Sequence, residues 1–144
     1  MDKWERVVVG VDGSEGSRHA LEVALAQARD HGAALTVVTT WAQPMSAGVP
    51  GYAAYPLINE ADLSGVAKQQ QADVLAAVLG TDPGIRVEQE VLQGHPAQQL
   101  VKAAEGADLL VVGSRGYGGF VGMLLGSVSQ HVAAHAPCPV LVVR

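Results

Sequence analysis

The sequence predicts an α/β fold built on an open, twisted sheet of five parallel strands with helices on both faces. Three observations predict it. Five short runs are rich in Val and Leu, and four of them are nearly continuous, which suits strands covered on both faces rather than on one. The segments between them carry apolar residues at helical spacing. The two kinds of segment alternate along the chain as β-α-β-α-β-α-β-α-β, and right-handed crossovers then place helices above and below a single sheet.

Residues 6–11, with VVVGV, form the first strand. Ser14 is the N-cap of a helix reaching about Asp30, with Leu21, Leu25 and Ala28 on one face and Gly32 as its stop. Residues 34–41, with LTVV, form the second strand. Residues 42–56, AQPMSAGVPGYAAYP, hold three prolines and two glycines and are too long for an ordinary turn, so they read as a mobile flap. Leu63, Val66, Ala67, Val74 and Val78 mark the second helix, ended by Gly80 and Pro83. Residues 85–92, IRVEQEVL, alternate apolar and polar side chains, the pattern of an edge strand. Pro96 suits the first turn of a third helix whose Leu100, Val101 and Ala104 face inward. Residues 108–113 are the fourth strand, a fourth helix runs from about Gly126 to Ala134, and residues 139–143 are the fifth strand. The expected fold is Rossmann-like, with strand order 3-2-1-4-5, and residues 1–144 form one domain.

Composition narrows the functional classes. The chain of 144 residues is 49% hydrophobic and 16% charged, the balance of a domain with a packed core. Aromatics are only 4%, so the core is built from Val, Leu, Ile and Ala. A net charge of -5 argues against non-specific nucleic-acid or anionic-membrane binding. No run is long enough to span a membrane and the first residues have no signal-peptide pattern. With Cys138 as the only cysteine, no intrachain disulfide forms, and a soluble cytoplasmic protein is expected.

The functional signal is the stretch VVGSRGYGGFVGMLLGSVSQ, residues 111–130, in which Gly113, Gly116, Gly118, Gly119, Gly122 and Gly126 cluster just after the fourth strand. Ordered glycines cost conformational entropy, and a bound ligand would offset that cost. Ligands of open α/β sheets lie outside the carboxyl ends of the strands. Glycines there can turn successive N–H groups toward one point as an anion nest. The following helix adds its free N–H groups and the positive end of its dipole, and Ser127 and Ser129 add hydroxyls. A phosphate chain suits this set. The Walker pattern is absent, since no Lys follows the glycines, and GxGxxG fails because Val121 stands where the third glycine belongs.

Gly113, two residues, Gly116, nine residues and then Gly126–Ser127 spell GxxGx9G[ST], which resembles the ATP-binding signature of the universal stress protein family. VVVGVDGSEGS near the start and CPVLVV at the end also resemble that family, whereas residues 41–58 carry no such pattern. The resemblance implies an ATP site with Mg²⁺. Asp12 would lie near the adenosine and the metal, with Gly10 and Val11 beside the base. Thr40 would touch adenine through its backbone. Gly113, Ser114, Arg115 and Gly116, with Gly118 and Gly119 of the same loop, would wrap the ribose and phosphates. Gly126, Ser127, Val128 and Ser129 would hold the phosphate tail. It also implies a homodimer, to which the apolar edge strand CPVLVVR points independently, because residues 139–144 could pair antiparallel about a two-fold axis.

Plainer readings stand beside these. Asp12 also reads as a turn residue of DGSEGS, Arg115 as a solvated loop charge, and Ser127 as an N-cap. His131 and His135 are four apart on a helix, but without the HExxH pattern they read as surface or interface histidines. His95 reads as the start of a helix, and Cys138, between two prolines, as an inert packed thiol. Two other classes fit less well. An enzyme cleaving ATP at the α-phosphate would carry an SGGxDS-like loop where VDGSEGS stands, and a phosphoacceptor receiver would need paired acids after VVVGVD and an Asp ending the third strand. Asp12 is the only clear acid in the predicted pocket and the glycine loop has no Lys, so binding with at most slow hydrolysis is favoured over catalysis.

Overall fold

A computed structural model describes residues 3–42, 60–114 and 125–144 of the chain. Its elements run β1 (Arg6–Gly10), α1 (Glu15–His31), β2 (Ala34–Trp41), α2 (Glu60–Leu79), β3 (Val87–Gln93), α3 (Pro96–Ala103), β4 (Leu109–Gly113), α4 (Ser127–His135) and β5 (Val140–Val143). The sheet is parallel throughout, in the order β3-β2-β1-β4-β5. The alternation of strands and helices and the strand order are therefore as the sequence predicts. Of the predicted flap over residues 42–56, only Ala42 lies within the described residues.

Strand pleating sends successive side chains to opposite faces, so each Val-rich run feeds two cores. Val7 and Val9 of β1 pack with Val37, Val111 and the inner faces of α1 and α2. Val8 packs with Leu110, Val112, Leu100 and Val132 on the α3 and α4 side. This is why β1 and β4 carry no polar alternation, whereas β3, paired only to β2, keeps it.

Helix ends follow the predicted signals. The Ser14 hydroxyl accepts from the Ser17 N–H, and Gly32 closes α1 at φ 65° with its N–H on the carbonyls of Ala28 and Arg29. Pro96 opens α3 after His95. The buried stripe of α2 differs from the one expected. Ala67, Gln71 and Leu75 are buried, Val74 and Val78 flank them, and Val66 is 67% exposed. Neighbouring residues point about 100° apart on a helix, so Val66 turns away when Ala67 faces in.

At the opposite end of the sheet from the glycine loop, the Asp108 carboxylate accepts from the backbone N–H groups of Glu5 (2.7 Å) and Arg6 (3.0 Å), tying the chain before β1 to the start of β4. The Arg6 hydrogen bond, followed by that of Glu5, lowers the Asp108 pKa below its ordinary value of 3.8. The clasp therefore contributes stability above that value and loses it as pH falls through the lowered pKa. The half-buried Cys138 thiol is shifted the other way, upward, chiefly by desolvation, which suits the inert role expected of it.

Candidate functional site

Three strand ends meet at the carboxyl edge of the sheet. Gly10 pairs with Val38 and Val9 with Val111, so Asp12, Thr40 and Gly113 each stand two residues beyond a paired level. Val11 is buried and continues the ladder past β1, its N–H donating to the Val38 carbonyl at 2.9 Å.

The turn from β1 to α1 is locked by its own polar groups. Asp12 is exposed, and its Oδ1 accepts from the Ser14 N–H (2.9 Å) and hydroxyl (2.5 Å). The Asp12 N–H donates to Ser17 Oγ at 3.2 Å, and that hydroxyl donates to the Ser14 carbonyl at 3.0 Å. The turn role weighed for Asp12 is thus present, and the second carboxylate oxygen, Oδ2, takes no part in it. Gly13 adopts φ 86°, a left-handed conformation that favours glycine, and the Gln70 side chain of α2 fills the space where its Cβ would stand. At Gly10 the corresponding space is taken by the Leu100 side chain of α3.

Gly113 is bounded differently. A Cβ there would lie 2.9 Å from the Gly16 carbonyl carbon, 3.0 Å from its oxygen and 3.3 Å from the Ser17 nitrogen. The first turn of α1 thus lies directly against the end of β4. Beyond it, the Ser114 N–H donates to the Val143 carbonyl (2.7 Å), and the Ser114 carbonyl accepts from the Gly126 N–H (2.6 Å). The two ends of the glycine loop are pinned together at this bond. Arg115, Gly116, Gly118 and Gly119 lie between them, outside the described residues.

The start of α4 departs from expectation in two places. Gly126, not Ser127, is the N-cap, in an extended conformation (φ -72°, ψ 166°) and without a side-chain cap. The bond to Ser114 holds Gly126 there, so Ser127 becomes the first helical residue, with an exposed side chain. Ser129 is buried, and its hydroxyl donates to the Gly113 carbonyl at 2.5 Å, with Ser114 at 3.3 Å. That proton is committed to the end of β4, so the Ser129 side chain positions the helix against the strand. What α4 presents outward is backbone: its first intrahelical bond is Gln130 N–H to Gly126 carbonyl, and the N–H groups of Ser127, Val128 and Ser129 have no partner among the described residues. No acidic residue occupies the first turn to compete for them.

At β2, Thr39 is buried and Thr40 half-buried. Sequence reasoning missed the residue that fixes this strand end. Gln71 of α2 is 2% exposed, and its Nε2 donates to the carbonyls of Glu90 (3.0 Å) and Val37 (3.1 Å) and to Thr39 Oγ1 (3.1 Å). The available signal was its place four residues from both Ala67 and Leu75, in the middle of an apolar stripe.

No group of three or more His, Cys, Asp or Glu side chains among the described residues could hold a metal ion. Asp12 is the acid that sequence reasoning placed here, and a single carboxylate does not cage a cation by itself.

The family model for universal stress proteins matches residues 3–144. The chain belongs to the universal stress protein family. A universal stress protein of Thermus aquaticus is 39% identical over 143 residues, covering 98% of this chain and 99% of its own length. One from Mycobacterium tuberculosis is 38% identical over 138 residues and 96% of this chain, but the match spans 44% of that longer protein. Among solved structures, a universal stress protein from Lactobacillus plantarum superposes with a TM-score of 0.76 at 24% identity, covering both chains in full, which supports the fold. A universal stress protein in complex with cAMP superposes with a TM-score of 0.66 at 29% identity, over 99% of this chain and 98% of its own. Among the described residues of this family member, no helix is long and apolar enough to cross a membrane.

Proposed function

We propose that this universal stress protein domain binds ATP with Mg²⁺ and serves as a nucleotide-binding regulatory module of the cytoplasm, with at most slow hydrolysis. The observation that carries this reading is the pinned base of the glycine loop, Gly126 N–H on the Ser114 carbonyl, at the start of a helix whose first three N–H groups have no partner among the described residues. Oriented backbone donors at a helix start favour phosphate without a Lys. A relative of the same fold was crystallised in complex with cAMP, which supports an adenine nucleotide as the ligand. In this reading Gly10, Val11 and Thr40 border the base and Asp12 Oδ2 faces the metal side. Gly113, Ser114, Arg115, Gly116, Gly118 and Gly119 border the ribose and phosphates, while Gly126, Ser127, Val128 and the Ser129 N–H receive the phosphate tail. Bound Mg²⁺ would bridge phosphate oxygens and neutralise their charge. Slow turnover follows from Asp12 as the one acid in this reading and from the lack of Lys in residues 113–126.

The test is direct. Mass analysis of small molecules released from the purified, denatured protein should find an adenine nucleotide, and calorimetry should find MgATP binding in the millimolar range or tighter. Asp12→Ala should weaken that binding by about 1–3 kcal/mol, the range for a charged hydrogen bond, while losing the Asp12–Ser14 turn contacts. A lower melting temperature with unaltered affinity would leave Asp12 as a turn residue only.

We also propose that the domain is a homodimer through β5. The carbonyls of Pro139 and Val143 accept from Leu110 and Ser114 on the β4 side, so Val140 and Val142 turn their backbone groups outward from the sheet edge. Leu141 is a large apolar side chain left exposed, at 36%. Antiparallel pairing of two copies of residues 139–144 would satisfy both edges. Val142→Pro removes one outward N–H donor and should shift the molar mass in light scattering from dimer to monomer. A monomeric wild type, or an undisturbed dimer in the variant, would exclude this interface.

A further inference from the structure

His131 and His135 occupy the last two turns of α4, four residues apart, and both are exposed. Residues at this spacing are neighbours on a helix surface. Their imidazole rings stand side by side, with centroids 4.5 Å apart and planes tilted by 43°. We propose that this pair is a bidentate site for a borderline transition-metal dication, of the Ni²⁺ or Cu²⁺ kind, separate from the nucleotide reading of the same helix.

The separation carries the proposal. A metal about 2.1 Å from a ring nitrogen lies roughly 3.2 Å from that ring's centroid. Two imidazoles binding at a right angle then have centroids about 4.5 Å apart, and at the tetrahedral angle about 5.2 Å. The observed 4.5 Å is the spacing of the right-angled case, which tetragonal and octahedral ions use, so one ion of that kind can reach both rings. The side chains already share one face of one helix, with their rings in contact. His135 lies in the last turn, where the free carbonyl ends of the helix favour a cation. No third His, Cys, Asp or Glu joins the pair among the described residues, so water fills the remaining positions.

Binding would clamp successive turns at the carboxyl end of α4 and raise the stability of the folded state by mass action. The probe is Ni²⁺ alone, added to the full, nucleotide-free chain and followed by calorimetry and thermal melts. The wild type should bind one equivalent at this site and melt at higher temperature. His131→Asn and His135→Asn should each weaken binding at least about tenfold, the lower bound for even an outer-shell change at a metal site. His95→Asn, which alters the exposed histidine before α3, should leave it unchanged. Absence of binding at millimolar Ni²⁺ would overturn the proposal, as would equal binding by the double variant at 131 and 135. Tighter binding of Zn²⁺ than of Ni²⁺ would overturn the assigned geometry.

Discussion

Gly113→Val should destabilise the fold by about 3 kcal/mol or more, beyond the usual range for overpacking. The first atom added would lie 2.9 Å from the Gly16 carbonyl carbon and 3.0 Å from its oxygen. Both are backbone atoms of the first turn of α1, so no rotamer relieves the contact. Retreat of that turn would strain the bonds of Asp12 and Ser14 that lock the β1–α1 connection. Retreat of β4 would disturb the Gly113 carbonyl, on which Ser129 anchors α4. The glycine therefore joins three pieces of the candidate site at one point. Urea unfolding compared with the wild type checks the effect, and a change within 0.5 kcal/mol, the ordinary surface range, would refute it. A consequence follows for nucleotide binding: lost affinity in a Gly113 variant reports damage to the framework as well as to the ligand's path. Asp12→Ala is the cleaner probe, because its side chain is exposed.

The same residue marks how far the sequence was legible. Gly113 is visible as the first glycine of GxxGx9G[ST], but its packing against Gly16 is a contact between segments nearly a hundred positions apart, which no local pattern encodes. The strands were legible because Val7, Val8, Val9, Leu110, Val111 and Val112 are buried on both faces and leave no polar position. β3 was legible as an edge because its alternation persists. The Ser14 and Gly32 caps were legible because each is a local backbone solution. Ser127 was misplaced as a cap for the opposite reason: the bond from Gly126 to Ser114, across the loop, decides where α4 begins. Ser129 looked like an outward hydroxyl until the end of β4 was beneath it. Gln71 was hidden because a glutamine in a helix ordinarily faces solvent, and only its neighbours Ala67 and Leu75 mark it as inward.

Gln71→Glu should be the most damaging isosteric change in the described part of the chain. The side-chain amide faces two carbonyl oxygens and a hydroxyl, of Val37, Glu90 and Thr39, at 3.0–3.1 Å. Two carbonyls on one side require the nitrogen there, since an oxygen would meet them with lone pairs. A carboxylate of the same shape brings a buried negative charge against those dipoles, and the cost is about 3 kcal/mol or more at neutral pH. Gln71→Leu should cost less, about 1–2 kcal/mol, because it removes donors without introducing a charge. Thr36 shows that this core tolerates a merely missing partner, for its buried hydroxyl has none among the described residues. The two variants also differ in pH dependence. Burial raises the folded-state pKa of the introduced carboxyl above its unfolded value of about 4.3. The folded form then holds a proton that the unfolded form has lost, so stability falls as pH rises through that interval and stays low above it. Below about pH 4 the carboxyl is neutral in both states and can donate one hydrogen bond, which brings Gln71→Glu close to Gln71→Leu. Urea unfolding of the wild type and both variants from pH 3 to pH 8 checks the order. A deficit for Gln71→Glu that does not grow with pH would show that the amide does not face the carbonyls of β2 and β3.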